Sequence, residues 1–497
     1  MRDFIKSFNG QAVLLVLATA VVYGLCINNL NLWSDEIYSV LMAKDSLLEM
    51  WRLLITEDSK PPLYYLYLKG IMALFPQAYE IWAAHFASFI LLIGAQIFAL
   101  TAVRRDFGDK IALWMAALSA LMPCSLWLAF EVRTYMLSAL LLFMALIYGL
   151  RLLETPWTAD FVKFGVVTVL ALYSHYYCAI WLMFLYAGIL FCLIREKKFA
   201  IYSKKFLFTA GGAAVLFAPW LIVPLSTGGD ISRFWYVNRD FVTVSPMFFL
   251  NPFEPEILQS SAFMATFFVT AAFSFVVWCG VFVLISADCK IKRLFWFAVC
   301  TFLCCYLLLI VLSDAIRPMV TARYLKIFAL VWYLAGAVVL AEANHLGRAF
   351  GAAALLLFGF SYTDIREVSF DKGYTNAVHD IRTFIPKKEK LIVLDNSNLF
   401  CEYYLPEYTC LAAVNEYGEI LRLPSILKHI DSYTEDISDT TFTLSLYNET
   451  TAEKNCLTYP SIYRRGQNLH LCKISKPVAA KLLDDSLNLR LKIYETH

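Results

Sequence analysis

The 497-residue sequence has little charge: only 16% of its residues are Asp, Glu, Lys or Arg, whereas 60% are hydrophobic. Soluble globular proteins carry about 25% charged residues, so this composition excludes both a soluble cytosolic enzyme and an intrinsically disordered chain. The net charge at pH 7 is only +2, which gives no electrostatic support for a nucleic-acid partner. Internal repeats and low-complexity tracts are also lacking. The composition therefore predicts an integral membrane protein.

Long apolar runs recur from about residue 11 to about residue 363, each close to the roughly 20 residues that a helix needs to cross a bilayer. They predict about eleven transmembrane helices. The spans are 11–30, 80–103, 111–130, 134–153, 162–180, 181–194, 206–225, 261–285, 294–313, 325–341 and 349–363. The number of helices could be one higher or lower, because the division between 162–180 and 181–194 and the last span are both open.

Basic residues cluster in alternate connections between these spans. The clusters are Arg104, Arg105 and Lys110; Arg151 and Lys163; Arg195, Lys197, Lys198, Lys204 and Lys205; and Lys290, Lys292 and Arg293. The positive-inside rule places them, with the N-terminus, in the cytoplasm. The outer connections are then 31–79, 130–133, 226–260 and 314–324. This predicts a multi-pass protein of the cell inner (plasma) membrane with an extracytoplasmic C-terminal region.

The composition changes after residue 363, which predicts a membrane domain, 1–363, and a C-terminal domain, 364–497. Short apolar segments such as 391–394 and 442–446 alternate there with polar turns and prolines, so this region is predicted to be a small soluble α/β domain. Its four cysteines form up to two disulfides or remain buried free thiols, and both alternatives stay open. They are Cys401, Cys410, Cys456 and Cys472. The fold class is thus mainly α and polytopic, with interfacial helices in the loop 31–79 and a small α/β domain.

Five polar segments fall on the same predicted outer face, where a membrane protein would otherwise avoid charge. The first contains the adjacent carboxylates Asp35 and Glu36, directly after the first span. A carboxylate can accept a hydroxyl proton, so this pair is a candidate for general-base chemistry. Helix capping by Ser34 or Asp35 is the alternative.

The second segment is Lys60-Pro61-Pro62, followed by an apolar and aromatic run that contains Tyr64 and Tyr65. The prolines predict an extended entry to a helix in the membrane interface. Lys60 is suited to a phosphate, and the two tyrosines are candidate substrate-binding residues. A solvated lysine beside a Pro-Pro turn is the alternative.

The third segment lies between two long apolar runs and contains Glu131, Arg133 and Tyr135. Glu131 and Arg133 are two residues apart and would not face each other on a helix, so each is expected to have a partner elsewhere. Charges beside membrane spans are usually functional. Incidental interfacial charges in a hairpin are the alternative.

The fourth and fifth segments contain His175 and the group Arg317, Arg323 and Tyr324. A lone histidine at a span end is either a hydrogen-bonded interfacial residue or a site residue. Two arginines can bind an anionic headgroup bidentately, although membrane anchoring is the alternative. Positive charge on the predicted outer side works against the orientation rule and favours a functional role.

Five motifs, taken in their order along the chain, resemble the protein O-mannosyltransferase and aminoarabinose transferase superfamily. They are Trp33-Ser34-Asp35-Glu36, Lys60-Pro61-Pro62-Leu63-Tyr64-Tyr65, Glu131-Val132-Arg133-Thr134-Tyr135, His175-Tyr176-Tyr177 and Arg323-Tyr324. These are polytopic glycosyltransferases of the C-type (GT-C) fold, and the likeness is greatest to bacterial family 39-like members. It covers roughly residues 1–340. The acidic pair joined to Pro-Pro-Leu-Tyr-Tyr is its most specific part.

The resemblance implies an inverting transfer from a polyprenyl-phosphate-linked sugar to an acceptor hydroxyl on a glycan, lipid or protein, at the outer membrane face. It implies that Asp35 is the catalytic base and that Glu36 orients the substrate. It further implies that Lys60 binds the lipid phosphate, with help from Arg133 and Arg323; Arg317 is a further candidate.

The sequence departs from the family pattern at three positions. Lys60 stands where many bacterial members have histidine, and Tyr38 stands where aminoarabinose transferases have arginine, which argues against that sugar. His85 replaces a common arginine and is assigned no role. No cofactor is firmly predicted: no His/Cys/Asp cluster has zinc-ligand spacing, whereas an Mg or Mn ion bridging Asp35, Glu36 and a donor phosphate remains open.

Two other functions compete with this interpretation. An O-antigen polymerase or ligase would use a similar lipid-linked donor but would place its arginines in a large later loop. A lipid or solute transporter would show repeated halves or charges near the centres of spans, and neither is visible. The position of the acidic pair in the longest early loop favours the transferase.

Overall fold

The computed structural model describes residues 7–28, 30–58, 60–226, 262–315, 320, 322–344, 373–387, 390–393, 397–412, 440–445, 456–459 and 469–475. Contacts divide the described residues into two compact units. The first comprises residues 7–28, 46–226 and 262–344, and the second comprises residues 30–45 and the described residues from 373 onwards. The predicted domain limits, 1–363 and 364–497, stay a prediction.

Helices dominate the described residues, as the long apolar runs predict. They are α1 Phe8–Ile27, α2 Ser34–Lys44, α3 Leu47–Leu53, α4 Leu63–Met72, α5 Glu80–Phe98, α6 Arg104–Phe107, α7 Asp109–Leu121, α8 Pro123–Phe130, α9 Tyr135–Arg151, α10 Thr158–Leu172, α11 Tyr176–Arg195, α12 Phe199–Ser226, α13 Ala262–Val283, α14 Cys289–Ala315, α15 Ala322–Leu325, α16 Ala329–Glu342, α17 Gly373–Phe384 and α18 Ser397–Tyr404. Short π-helical turns at Leu54–Asp58 and Ala99–Val103, and 3₁₀ turns at Gln77–Tyr79, Leu284–Ser286 and Lys326–Phe328, extend or join them.

Six helical runs among the described residues are long and apolar enough to cross a membrane. They are Phe8–Ile27, Gln77–Phe107, Tyr176–Arg195, Phe199–Val223, Cys289–Ala315 and Arg323–Glu342. The predicted polytopic helical membrane protein is therefore confirmed. The predicted span 349–363 lies outside the described residues, so the count of about eleven spans stays a prediction.

Within the predicted span 111–130 the chain bends by 71° between α7 and α8, which together are apolar enough for one span. Met122 has an extended backbone with ψ of 135°, and Pro123 begins the next helix. A proline has no N–H to continue a helical ladder and disfavours the helical conformation of the preceding residue. The proline therefore separates two helices within one apolar run.

The predicted division between 162–180 and 181–194 is wrong. Helix α10 ends at Leu172 and α11 begins at Tyr176, so the break is the turn Tyr173–Ser174–His175. The His175 ring caps α11, because its Nδ1 atom accepts a hydrogen bond of 3.1 Å from the Tyr177 N–H. Hydropathy missed this break because tyrosine and serine do not interrupt an apolar average.

Helix α16 lies in the interior of the first unit, packed against α7, α13 and α14. Gly336 permits the close approach of α13, since a Cβ atom at this position would lie 2.3 Å from the buried Phe273 ring. The absence of a side chain at Gly336 is therefore a packing requirement.

We expect Gly336→Ala to lower the melting temperature of the purified protein, because overpacking a tight contact destabilises by about 1–3 kcal/mol. Gly211→Ala in α12 is the matched control, since no atom lies within 4 Å of a Cβ built there. That variant should be neutral or slightly stabilising, as alanine favours helices over glycine. Equal melting temperatures for the two variants would contradict the assigned packing role.

The second unit contains a five-stranded mixed sheet and the helices α2, α17 and α18. The strands are β1 Lys390–Val393, β2 Thr409–Ala412, β3 Thr440–Ser445, β4 Cys456–Tyr459 and β5 Leu469–Ser475. Their spatial order is β2-β1-β3-β5-β4; β1 runs parallel to β2 and β3, and β5 runs antiparallel to β3 and β4. This confirms the predicted α/β character and the two strands expected near 391–394 and 442–446.

The cysteines of this unit include both a disulfide and a free thiol, the two alternatives that the sequence leaves open. Cys472 is disulfide-bonded, and Cys456 is its register partner on the neighbouring strand. Cys401 is a buried free thiol in α18. At least one disulfide therefore accompanies at least one free thiol.

The helix that carries the acidic pair packs within the second unit. The Leu32 N–H donates to the Tyr404 hydroxyl at 2.8 Å, and the Thr375 hydroxyl donates to Asn31 Oδ1 at 2.9 Å. Lys44 lies over the Tyr403 ring at 5.7 Å. Contacts with α17 and α18 thus fix the entry and the end of α2.

Candidate functional site

The acidic pair occupies the first turn of α2, where the helix dipole favours negative charge. Trp33 is the N-cap, and Glu36 Oε2 accepts a hydrogen bond of 3.2 Å from its N–H. Glu36 is fully buried, whereas Asp35 is partly exposed. Capping is therefore performed by Glu36, not by Ser34 or Asp35 as the alternative supposed. Asp35 is the more accessible carboxylate.

The Lys60-Pro61-Pro62 segment leads directly into α4, as predicted from the prolines. The Leu63 N–H, which begins the helix, donates to the Tyr173 carbonyl at 3.1 Å. This bond fixes the segment beside the turn between α10 and α11. Tyr64 and Tyr65 are buried, with ring centroids 6.1 Å apart.

The third and fourth segments are joined by hydrogen bonds. The Thr134 hydroxyl donates to the Ser174 carbonyl at 2.8 Å, and the hydroxyls of Ser138 and Ser174 lie 2.9 Å apart. Glu131 and Arg133 are in the non-helical connection between α8 and α9, where the Arg133 N–H donates to the Glu131 carbonyl at 2.8 Å. This geometry agrees with the expectation that Glu131 and Arg133 do not face each other on a helix.

Four rings from the last three segments form an aromatic cluster, defined here as Tyr135, His175, Tyr177 and Tyr324. The His175 centroid lies 6.2 Å from Tyr135, 5.1 Å from Tyr177 and 5.5 Å from Tyr324. The centroids of Tyr135 and Tyr324 are 6.3 Å apart. Residues up to 189 positions apart in sequence, 135 and 324, thus share one site.

Three cationic side chains act on two rings of the aromatic cluster. The charges of Lys60 and Arg133 both act on the His175 ring, and those of Arg133 and Arg323 both act on the Tyr135 hydroxyl. Arg133 is largely buried, with 8% of its surface exposed. Because charges in a low-dielectric environment interact strongly, the cluster is suited to an anionic group.

His175 is held neutral in this environment. Burial, and then the positive charges of Lys60 and Arg133, lower the pKa of the His175 imidazole to about 3. Its Nδ1 atom accepts from the Tyr177 N–H, so in the neutral ring the proton is on Nε2. His175 therefore offers a hydrogen-bond donor at Nε2 instead of a positive charge.

We expect stability to depend on His175 under acidic conditions. Between about pH 6.5 and about pH 3 the unfolded histidine binds a proton and the folded one does not, so unfolding becomes easier as the pH falls. His175→Asn keeps a capping acceptor without an imidazole, and its melting temperature should fall less over this range. The exposed His379→Asn is the control and should follow the wild type. Parallel curves for the wild type and His175→Asn would contradict the assignment.

Sequence reasoning missed two members of this site. Tyr177 belongs to the His175-Tyr176-Tyr177 motif, whose pattern predicts no role for it, and Lys326 lies within the predicted apolar span 325–341. Lys326 is fully buried, and its Nζ atom lies 3.8 Å from the centroid of Trp127, whose ring stacks on Tyr135 at 5.2 Å. An ionisable residue within a predicted span is a functional candidate by default, and that pattern could have identified Lys326.

Arg317 lies outside the described residues, so its predicted role stays a prediction. His85 is fully buried, and its Nδ1 atom lies 2.6 Å from the Phe130 carbonyl, beside the connection that carries Glu131. Within the described ranges no group of three or more His, Cys, Asp or Glu side chains is placed to hold a metal ion.

Residues 59–223, which include the second, third and fourth segments, match the family model for dolichyl-phosphate-mannose-protein mannosyltransferase. The fold is similar to that of ArnT from Cupriavidus metallidurans bound to undecaprenyl phosphate, with a TM-score of 0.55 and 13% identity over 94% of this chain and 98% of that chain. No curated protein matches the sequence.

Two further solved structures are similar at lower scores. The apo state of the same ArnT has a TM-score of 0.44 and 13% identity, over 93% of this chain and 98% of that chain. The oligosaccharyltransferase of Archaeoglobus fulgidus, in complex with Zn and sulfate, has a TM-score of 0.45 and 14% identity, over 87% of this chain and 67% of that chain.

The helical architecture is that of a polytopic membrane protein with the C-type (GT-C) glycosyltransferase fold. The matched segment, residues 59–223, is similar to the protein mannosyltransferases, which is the likeness that the order of the motifs predicts.

Proposed function

We propose that the protein transfers a sugar from a polyprenyl-phosphate donor to an acceptor hydroxyl at the outer face of the cytoplasmic membrane, with inversion at the anomeric carbon. The observation that carries this proposal is the convergence of Lys60, Arg133 and Arg323 on one aromatic cluster. The crystal structure of ArnT, which shares the fold, contains undecaprenyl phosphate, and this supports a lipid-phosphate donor.

In the proposed reaction the acceptor oxygen forms a bond to the anomeric carbon, while the bond from that carbon to the phosphate oxygen breaks. The bonding electrons leave with the phosphate, and Asp35 takes the proton of the acceptor hydroxyl. Its partial exposure allows an acceptor to reach it. Glu36, held by its bond to the Trp33 N–H, fixes the orientation of the helix turn that presents Asp35.

The cations contribute by stabilising the charge that grows on the departing phosphate. Arg133 is largely buried, so its interaction with a phosphate oxygen is weakly screened by water. Arginine binds two phosphate oxygens at once, whereas Lys60 supplies a mobile point charge. Removal of these charges should therefore affect the transition state as well as donor binding.

The aromatic cluster is proposed to bind the sugar. Aromatic faces pack against the apolar faces of sugar rings, and neutral His175 together with the tyrosine hydroxyls supplies donors for sugar oxygens. The charges of Lys60, Arg133 and Arg323 act on this cluster, so a neutral or acidic sugar fits it better than a positively charged amino sugar. Tyr38 stands at the position where aminoarabinose transferases carry arginine, which also argues against that particular donor.

The proposal is tested by mass spectrometry of lipid-linked sugars and surface glycans from cells with and without the gene. We expect one polyprenyl-phosphate sugar to accumulate and one glycan linkage to disappear, which identifies both substrates. Complementation with the wild type should restore the linkage, and complementation with Asp35→Asn should not. An unchanged pool of lipid-linked sugars, with unchanged glycans, would refute the proposed function.

A further inference from the structure

Three of the four basic clusters that the sequence places on the cytoplasmic side meet around one pocket in the structure. The pocket has a volume of about 390 Å³ and is lined by Arg105 of α6, Arg151 at the end of α9 and Lys290 in the first turn of α14. It lies at the opposite end of α9 from Tyr135. At a rise of about 1.5 Å per residue, the ends of this helix are about 24 Å apart. The pocket is thus separate from the candidate site.

The acidic residues of the pocket are already engaged. Asp106 accepts from Arg105 at 2.9 Å and also pairs with Arg151. Asp160 accepts from the Trp157 N–H at 2.9 Å, which caps α10. Glu154 is 3.7 Å from Arg293, a residue that pairs more closely with Glu196 at 2.5 Å. One carboxylate, Asp106, is therefore shared by two guanidinium groups.

Positive charge remains after this pairing. The Nη2 atom of Arg151 is buried and has no hydrogen-bond partner among the described residues. Lys290 stands 5.4 Å from the Phe107 ring centroid and forms no ion pair within the described part of the chain. A buried donor without an acceptor is unfavourable, and more so for a charged group. An anionic oxygen in the pocket would satisfy both groups.

We propose that this pocket binds the phosphate of an anionic membrane lipid. It lies at the ends of two helical runs long enough to cross a membrane, Gln77–Phe107 and Cys289–Ala315. Trp157 lines it with 78% of its surface exposed, and tryptophan settles at the depth of lipid headgroups. Basic pockets between membrane helices are suited to acidic headgroups, and a guanidinium binds phosphate through paired hydrogen bonds.

The test is native mass spectrometry of the full-length protein released from nanodiscs of phosphatidylglycerol or phosphatidylcholine. The wild type should retain phosphatidylglycerol and little phosphatidylcholine. Lys290→Gln and Arg151→Gln should each reduce retention of phosphatidylglycerol about fivefold, because one basic group near a headgroup contributes on the order of 1 kcal/mol. Lys163→Gln is the matched control: this exposed lysine belongs to a basic cluster but does not line the pocket.

Arg151→Gln and Lys290→Gln differ in how much they are expected to disturb the fold. Arg151→Gln removes the pairing with Asp106 and can disturb the fold, whereas Lys290→Gln removes no ion pair of the described residues. Lys290→Arg should retain the lipid. Unchanged retention in Lys290→Gln, or an equal loss in Lys163→Gln, would overturn the proposal. Displacement of the lipid by millimolar inorganic phosphate would overturn the lipid as the source of the phosphate.

Discussion

Replacement of Asp35 by Asn is expected to lower transfer from a polyprenyl-phosphate sugar by about 10²–10⁴-fold, the usual contribution of a general base. Asparagine has nearly the same size and cannot take the acceptor proton. The cap of α2 depends on Glu36, whose carboxylate bonds the Trp33 N–H, so the fold should be unaffected. The measurement is transfer by purified protein, together with its melting temperature.

Two neighbouring acids serve as controls for this variant. Asp45→Asn changes a carboxylate at the other end of α2 and should leave transfer unchanged. Glu36→Gln should lower the melting temperature, because it weakens a buried capping bond. Transfer at the wild-type rate by Asp35→Asn would remove Asp35 from the role of base. Loss of transfer in Asp45→Asn would show that transfer is sensitive to any loss of negative charge in and beside α2.

Lys60→Gln is expected to lower kcat/KM for the lipid-linked donor by about 10–100-fold, since a hydrogen bond to a charged group contributes about 1.5–3 kcal/mol. Lys60→Arg should retain more activity, because the charge remains. Lys69→Gln, in helix α4, which the Lys60 segment enters, but outside the motif, is the matched control. The measurement is the rate of transfer as a function of donor concentration and ionic strength.

This variant has a second expected consequence that does not depend on turnover. The charge of Lys60 lowers the pKa of His175, so its removal should raise that pKa. The loss of melting temperature on acidification should then become smaller in Lys60→Gln, in the direction expected for His175→Asn. Activity and acid stability that both match the wild type would contradict the placement of Lys60 beside the aromatic cluster.

The fold was predictable where one physical quantity dominates. The length of an apolar run is enough to predict a spanning helix, and α1, α5, α11, α12 and α14 each correspond to such a run. The bend at Pro123 was present in the sequence as a proline, but hydropathy averages over it. The turn at His175 depends on a side-chain cap and on bonds from Thr134, neither of which is visible in composition.

The site was predictable as an order of motifs but not as a set of contacts. The sequence indicates that Lys60, Arg133, His175 and Tyr324 belong together, whereas the packing of Tyr177 into the cluster depends on how α11 starts. Lys326 was hidden because a single lysine hardly changes the average hydropathy of a span. Its position against the Trp127 ring is a tertiary contact between helices distant in sequence.

The cations around the aromatic cluster also bear on how the reaction ends. In the proposed reaction the donor phosphate is a diester with one negative charge, whereas the released polyprenyl phosphate is a monoester carrying about −1.5 to −2 at pH 7. If Lys60 and Arg133 bind the phosphate as proposed, they would hold the released lipid carrier more tightly than the donor. We therefore expect free polyprenyl phosphate to inhibit transfer in competition with the donor.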